Sequence, residues 1–279
     1  MCGIIGIVSR PPTRATPDAA DLVAGLDRAV TAISALPADV VGAAAQVCRV
    51  DELLRGLPGV LALSGHVDLV AAITARLDRL DAAASDIEYR LDSNTDRLDA
   101  DALERANAEL IDLKDALWAI RHDRLRSARE VEALAGRDAP ASALGGYLAV
   151  QQAFSAIDRL EVRGRDSAGL HVFVWGHDIE TDALATLLAE RGTDPLFQSG
   201  SVVQADECLS FVYKAAAEIG ELGDNTAALR RALSADALLR RALQSPGARV
   251  AILGHTRWAS VGIISEPNTH PLNSFELEQ

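Results

Sequence analysis

Two periods of apolar positions run along this chain, and they divide it. Near the start, Gly3-Ile-Ile-Gly-Ile-Val8 is a β-branched run that predicts a short buried strand, broken by Pro11 and Pro12. From about Pro17 the period becomes three and four. Leu22, Leu26, Val30 and Ile33 predict an amphipathic helix over 18–36, ended by Pro37. A second helix is expected over 39–55, stopped by Gly56, Pro58 and Gly59. The most regular stretch follows. Val67, Val70, Ile73, Leu77, Leu80, Ala84, Ile87 and Leu91 form a heptad seam, and Leu103, Ala106, Leu110, Leu113, Leu117 and Ile120 repeat it. The polar break 92–95 between them predicts an antiparallel helical hairpin, whose first arm of about 25 residues would reach roughly 37 Å.

Beyond the hairpin the pattern is less uniform. Residues 136–146, with Pro140, Gly145 and Gly146, read as a linker, and 147–160 as a helix. Gly169–Trp175 predicts a strand, 182–191 a helix, and 205–243 further helices interrupted at 220–224. Arg249–Leu253 is a clean strand that runs into Gly254-His-Thr-Arg-Trp258. Strands thus lie on both sides of a long helical stretch. The expected organisation is a helical domain over 17–140 inserted into a β-containing domain made of 1–16 and 141–279.

Composition narrows the function without naming it. The chain has 279 residues, 49% hydrophobic and 24% charged, with a formal net charge of −13. That charge argues against a nucleic-acid partner, which needs clustered Lys and Arg. Cys2, Cys48 and Cys208 are odd in number and far apart, so neither a disulfide framework nor a zinc site is suggested. No apolar run approaches the roughly 20 residues of a membrane-spanning helix, and the N-terminus lacks the features of a signal peptide. A cytoplasmic protein with no membrane partner and no cofactor is expected, and a homo-oligomer is left open.

Three clusters carry candidate chemistry. Cys2 follows the initiator Met, and a small residue there permits its removal, leaving a free α-amine on the cysteine. Such an amine titrates near 7.7–8.0 and can serve as base for a thiol that ionises near 8.5, so one residue could supply nucleophile and base. Arg163-Gly-Arg-Asp-Ser-Ala-Gly169 is a glycine-flanked loop between a helix and a strand. The last cluster is Gly254-His-Thr-Arg-Trp-Ala-Ser260, followed by Glu266-Pro-Asn-Thr-His-Pro271. There Arg257 is suited to clamp a carboxylate through two donors, Trp258 could wall an apolar channel, and His270 could donate a hydrogen bond in a pocket.

Taken together, Met1-Cys-Gly-Ile-Ile-Gly-Ile-Val8, Arg163-Gly-Arg-Asp-Ser-Ala-Gly169, His255-Thr-Arg-Trp-Ala259 and Asn268-Thr-His-Pro271 resemble, in wording and order, the class II glutamine amidotransferases of the glucosamine-6-phosphate synthase type. The helical middle lies outside the resemblance. The resemblance implies an N-terminal-nucleophile αββα sandwich carrying the helical insert. It implies a Cys2 thiol that attacks the side-chain amide of L-glutamine, giving a glutamyl thioester and ammonia. Arg257 would bind the glutamine α-carboxylate, Arg163 would order a loop over Cys2, and Trp258 would lie on the ammonia's route. His270 would support the glutamine pocket, with Thr256 and Ser260 as further substrate contacts. In such enzymes a following sugar-isomerase-like domain uses the ammonia to convert fructose 6-phosphate to glucosamine 6-phosphate.

Departures accompany the likeness. Ser260 and Val261 stand where the family commonly has Thr-His, and Arg165 replaces a usual aromatic. The Asn-Gly of the oxyanion hole and the Asp that holds the glutamine amine are not found before Gln279, nor is a phosphosugar-binding domain. A truncated or divided gene product is therefore expected. Two other readings stay open: a glutaminase module with a different acceptor, and an inactive scaffold whose helical hairpin binds a partner.

Overall fold

A computed structural model describes residues 2–93, 97–162, 164–193, 202–216, 221–258 and 263–272. The chain divides into two compact units, Met1–Pro11 with Leu134–Gln279, and Pro12–Ala133. The second unit thus begins and ends a little before the 17–140 expected from sequence.

The unit Pro12–Ala133 is helical. Helices α1 (Ala19–Ile33), α2 (Val40–Leu53), α4 (Val67–Asp92) and α5 (Ala100–Trp118) form a ring in which α1 packs on α2 and α4, and α5 packs on the same two. Each helix buries the stripe that its spacing predicts: Leu22, Leu26 and Ala29 from α1, Val47 and Val50 from α2, Ile73, Leu77 and Leu80 from α4, and Leu113 and Leu117 from α5. Asp18, Asp39 and Asp99 cap three of the helices by accepting from the backbone amides of Ala20, Gly42 and Ala102. The heptad pair is therefore half of a four-helix ring rather than a two-helix arm.

Helix α2 ends before Gly56 as expected, but Gly56, Pro58 and Gly59 also begin a further helix, α3 (Gly56–Leu63). Proline is tolerated in a first turn, where its missing N–H would have no partner. After α5 the backbone passes through a π-helical segment, Ala119–Leu125, into α6 (Arg126–Ala135). That segment carries Arg121, paired with Asp78 and Asp81 of α4, and Arg124, whose Nε lies 2.8 Å from the buried carboxylate of Asp51 in α2. No single helix among the described residues is long and apolar enough to cross a membrane.

The other unit is built on one antiparallel sheet. Strands β1 (Gly3–Val8), β2 (Ser167–Trp175), β3 (Val202–Ala205), β4 (Cys208–Ala215) and β5 (Arg249–Arg257) lie in the order β1-β5-β2-β4-β3. Mixed α and β structure is thus established, with strands from both sides of the helical unit side by side. Helix α7 (Ala141–Glu161) packs on β1 and β5, and α9 (Asp224–Ala235) packs on β2 and β4. They cover the face formed by Ala168, Leu170, Val172 and Val174 of β2 and Val250, Ile252 and Thr256 of β5, all buried.

Two expectations fail here for physical reasons. The linker is limited to residues 136–140, because α7 starts at Ala141 and runs through both glycines. A Cβ at Gly146 would lie 2.8 Å from Leu243 and 3.3 Å from Val250, so the glycine allows the helix to sit close on its neighbours. Residues 202–215 are not helical but form the β3–β4 hairpin, turning at Asp206 with φ of 51°. Leu209, Phe211 and Tyr213 alternate along β4 and all point to the covered face.

Helices α8 (Thr181–Thr193) and α10 (Ala237–Leu243) are tied by a buried polar knot. Asp236 accepts from the Arg191 guanidinium at 3.0 Å and from the Tyr213 hydroxyl at 2.8 Å. Its other oxygen caps α10 through the amides of Leu238 and Leu239. Burial beside this carboxylate raises the Tyr213 hydroxyl well above its ordinary value. A charge so far from water needs these partners.

The opposite face of the sheet is different. Its side chains are Ile4 (77% exposed), Val8 (72%) and Leu253 (48%), with His171, Phe173 and Trp175 stacked along β2. Among the described residues no second sheet lies over it. The expected αββα sandwich thus has one sheet with helices on one face among the described residues.

Candidate active site

The site follows from strand register. Antiparallel pairing sets Gly3 opposite Thr256, and Ser167 opposite Arg257. The start of β1, the start of β2 and the end of β5 therefore meet at one end of the sheet, although more than 150 residues separate β1 from β2 along the chain. Cys2, one residue before β1, is exposed and free there. The Gly3 amide donates to the Thr256 hydroxyl at 3.2 Å. Thr256 faces the covered side and is fully buried, so its hydroxyl braces the strand that carries Cys2. It is a support of the site more than a contact for ligand.

The motif His255-Thr-Arg257 lies inside β5 rather than beyond its end. Alternation splits it: Thr256 points to the helices, while His255 and Arg257 share the open face. One guanidinium nitrogen of Arg257 donates to the Asn268 carbonyl at 2.9 Å, and its backbone carbonyl accepts from the Asp166 amide at 3.1 Å. Trp258 follows the strand and is exposed.

The segment 263–272 folds back over this end. Its turn is closed by the amides of Asn268 and Thr269 donating to the carbonyls of Ser265 and Glu266, and by the Thr269 hydroxyl donating to Ser265. His270 ends the turn with its ring centroid 4.9 Å from that of His255. The chain can come so close because residue 169 has no side chain. A Cβ there would overlap the His270 carbonyl oxygen.

The loop before β2 is held from below. Gly164 donates to the Glu161 carbonyl, and the Asn225 amide donates to the Arg165 carbonyl at 2.8 Å. The buried Glu161 carboxylate accepts from the Gly223 amide at 2.6 Å. Neither Glu161 nor Asn225 stood out in the sequence, because a polar residue on a helix signals nothing until its burial is known. Of the expected site residues, Arg163 and Ser260 lie outside the described residues.

Arg257, His255 and His270 stand together at this end. Burial lowers the pKa of His255, and the neighbouring His270 and Arg257 lower it further. A neutral imidazole beside a charged guanidinium can accept or relay a proton while the guanidinium clamps an anion. No group of three His, Cys, Asp or Glu among the described residues is placed to hold a metal ion.

No family model matches this chain, and no curated protein or solved structure is found to be similar to it. The reading of the site therefore rests on its own geometry and on the resemblance of its motifs.

A second concavity lies in the helical unit, a groove of about 550 Å³ between α2 and α5. Cys48 sits in it beside Glu52, Asp112 and Asp115. Burial raises the pKa of that thiol, and the carboxylates of Asp51, Asp112 and Glu52 raise it further. A thiol so held is a poor nucleophile. Of the three cysteines, only Cys2 lies at the sheet end where Arg257 and His270 stand.

Proposed function

We propose that the sheet unit is the glutamine-hydrolysing part of a class II glutamine amidotransferase, with Cys2 as its nucleophile. The observation that carries this reading is the meeting at one sheet end of Cys2, from the start of the chain, with Arg257 and His270, from more than 250 residues later. Once Met1 is removed, the α-amine of Cys2 takes the thiol proton and the sulfur attacks the side-chain amide carbon of glutamine. The C–N bond breaks, and the nitrogen leaves with that proton as ammonia. Water then opens the thioester, releasing glutamate and returning a proton to the thiol. Arg257 binds the α-carboxylate, for which its fork of donors is suited. His270 borders the pocket, and Trp258 lies at its rim on the side from which ammonia leaves.

The open sheet face supports the finer fold. An apolar face of this kind is what an N-terminal-nucleophile sandwich covers with its second sheet. We assign the ammonia to amination of a sugar phosphate, fructose 6-phosphate in the enzymes that the motifs resemble, by a sugar-isomerase-like partner domain. The replacement of the usual loop aromatic by Arg165 makes a different acceptor the second reading.

The test is covalent capture. A γ-diazoketone analogue of glutamine should alkylate Cys2 with loss of dinitrogen, and free glutamine should protect against it. Peptide mapping would locate the adduct, and the intact mass would show whether Met1 is gone. An adduct on Cys48 or Cys208 at an equal rate, with no protection by glutamine, would remove the assignment.

A further inference from the structure

The turn over the Cys2 end rests on an unusual contact. His255 lies between Ile4 of β1 and Gly169 of β2, both its register partners, and neither offers it a polar group. Its third neighbour is His270, whose ring sits on it. The docked turn leaves the His255 Nδ1 atom buried with no hydrogen-bond partner, and the Ser167 hydroxyl is in the same condition. Both side chains are on the open face, diagonal to one another across β5 and β2. Burying such atoms without partners costs free energy that water would return once the turn lifted. Among the described residues, the docked position is held by the two rings, the Arg257–Asn268 hydrogen bond, the fully buried Thr269 and the backbone approach that Gly169 allows.

We propose that His255 is a positioning residue of this site, holding His270 and the turn Ser265–His270 over the Cys2 end as long as the two imidazoles do not both carry charge. The charged and titratable groups around the pair are of one dominant sign. On β5 there is Arg257, on β4 Lys214 stands opposite Gly169, and on β2 His171 lies two residues along. The turn itself brings Glu266, and the start of β1 brings Cys2, with its thiol and, once Met1 is removed, its α-amine. A second proton on the ring pair adds a like charge to a cationic cluster, and the rings then repel at contact distance. The lowered His255 pKa agrees with that arrangement. With acid the turn lifts, His255 and Ser167 gain water, and the Cys2 end opens. The contact itself does not depend on the glutaminase reading; its consequence for glutamine does.

Hydrogen exchange of the full chain, corrected for the intrinsic rate at each pH, reads the turn without any assay of activity. Protection of the amides of Asn268 and Thr269 should fall by roughly tenfold between pH 8 and pH 5.5. In His255→Phe the ring contact persists without a second titrating group, so protection should be alike at both pH values. His270→Phe should behave in the same way and serves if the first variant does not fold. Where glutamate release is measurable, the acid limb of its kcat/KM profile should move in both variants. Protection in the natural sequence that does not change with pH, or that falls equally in both variants, would overturn the proposal. A lifted turn in a protein without glutaminase activity would instead leave the proposal standing and remove the proposed function.

Discussion

The two faces of the five-stranded sheet are made from the same strands but obey different rules. On the covered face, Leu170, Val172, Phe211, Tyr213 and Ile252 are buried under α7 and α9, and the Tyr213 hydroxyl donates to Asp236. On the open face the apolar side chains Ile4, Val8 and Leu253 stand in solvent, and at one end the polar groups crowd with some of them unsatisfied. The buried core is concentrated on the first face, and the candidate site lies on the second. Native structures tolerate unpaired buried polar atoms chiefly where function uses them.

Substitutions can break this contrast. The largest effect is expected for Leu170→Ala on the covered face, which should cost about 3 kcal/mol in urea unfolding because its neighbours cannot fill the space. Next comes Gly169→Ala. The added methyl would overlap the His270 carbonyl, so the turn should be displaced at a cost of about 1–3 kcal/mol, seen as lost exchange protection at 268–269 with the sheet intact.

The faces should also part with pH. Burial pushes the Tyr147 hydroxyl on α7 up to about 12, above its ordinary 10. A raised pKa means that the stability it contributes is complete below pH 10 and is lost as pH rises towards 12. His255 is shifted the other way, below its ordinary 6.5, so its contribution is complete above that value and is lost as pH falls beneath it. Exchange measured across pH should therefore show alkali loosening the helix-covered side and acid loosening the turn on the open side. Loss of both at the same pH would mean that the faces are not independent. The smallest effect, about 0.5 kcal/mol or less, is expected for Leu253→Ala, and a cost as large as that of Leu170→Ala would show that the open face is covered in solution.

The same division explains what could be read from the sequence. The helical unit was legible because Leu22, Leu26, Ile73, Leu77 and Leu80 recur at three and four, and burial follows that period. The β3–β4 hairpin was not legible. Cys208–Ala215 has five buried positions, with Val212 breaking the alternation, and its turn at Asp206 lacks the usual glycine. Gly145 and Gly146 looked like a linker because clearance for Leu243 is a tertiary fact.

At the site, Cys2, Arg257 and His270 could be singled out as residue types that core packing does not explain. The roles of Thr256, His255 and Gly169 could not be separated, because they depend on register. One residue along a strand exchanges the two faces, making Thr256 a buried brace and His255 a site residue.

The account stands most directly on one assay: glutamate release from glutamine by the full-length gene product, alongside Cys2→Ala and Arg257→Ala. The geometry predicts release that vanishes in Cys2→Ala and falls by roughly a hundredfold in kcat/KM in Arg257→Ala, through loss of the carboxylate clamp. Release that is equal in all three proteins, or that survives removal of the Cys2 thiol, would contradict it.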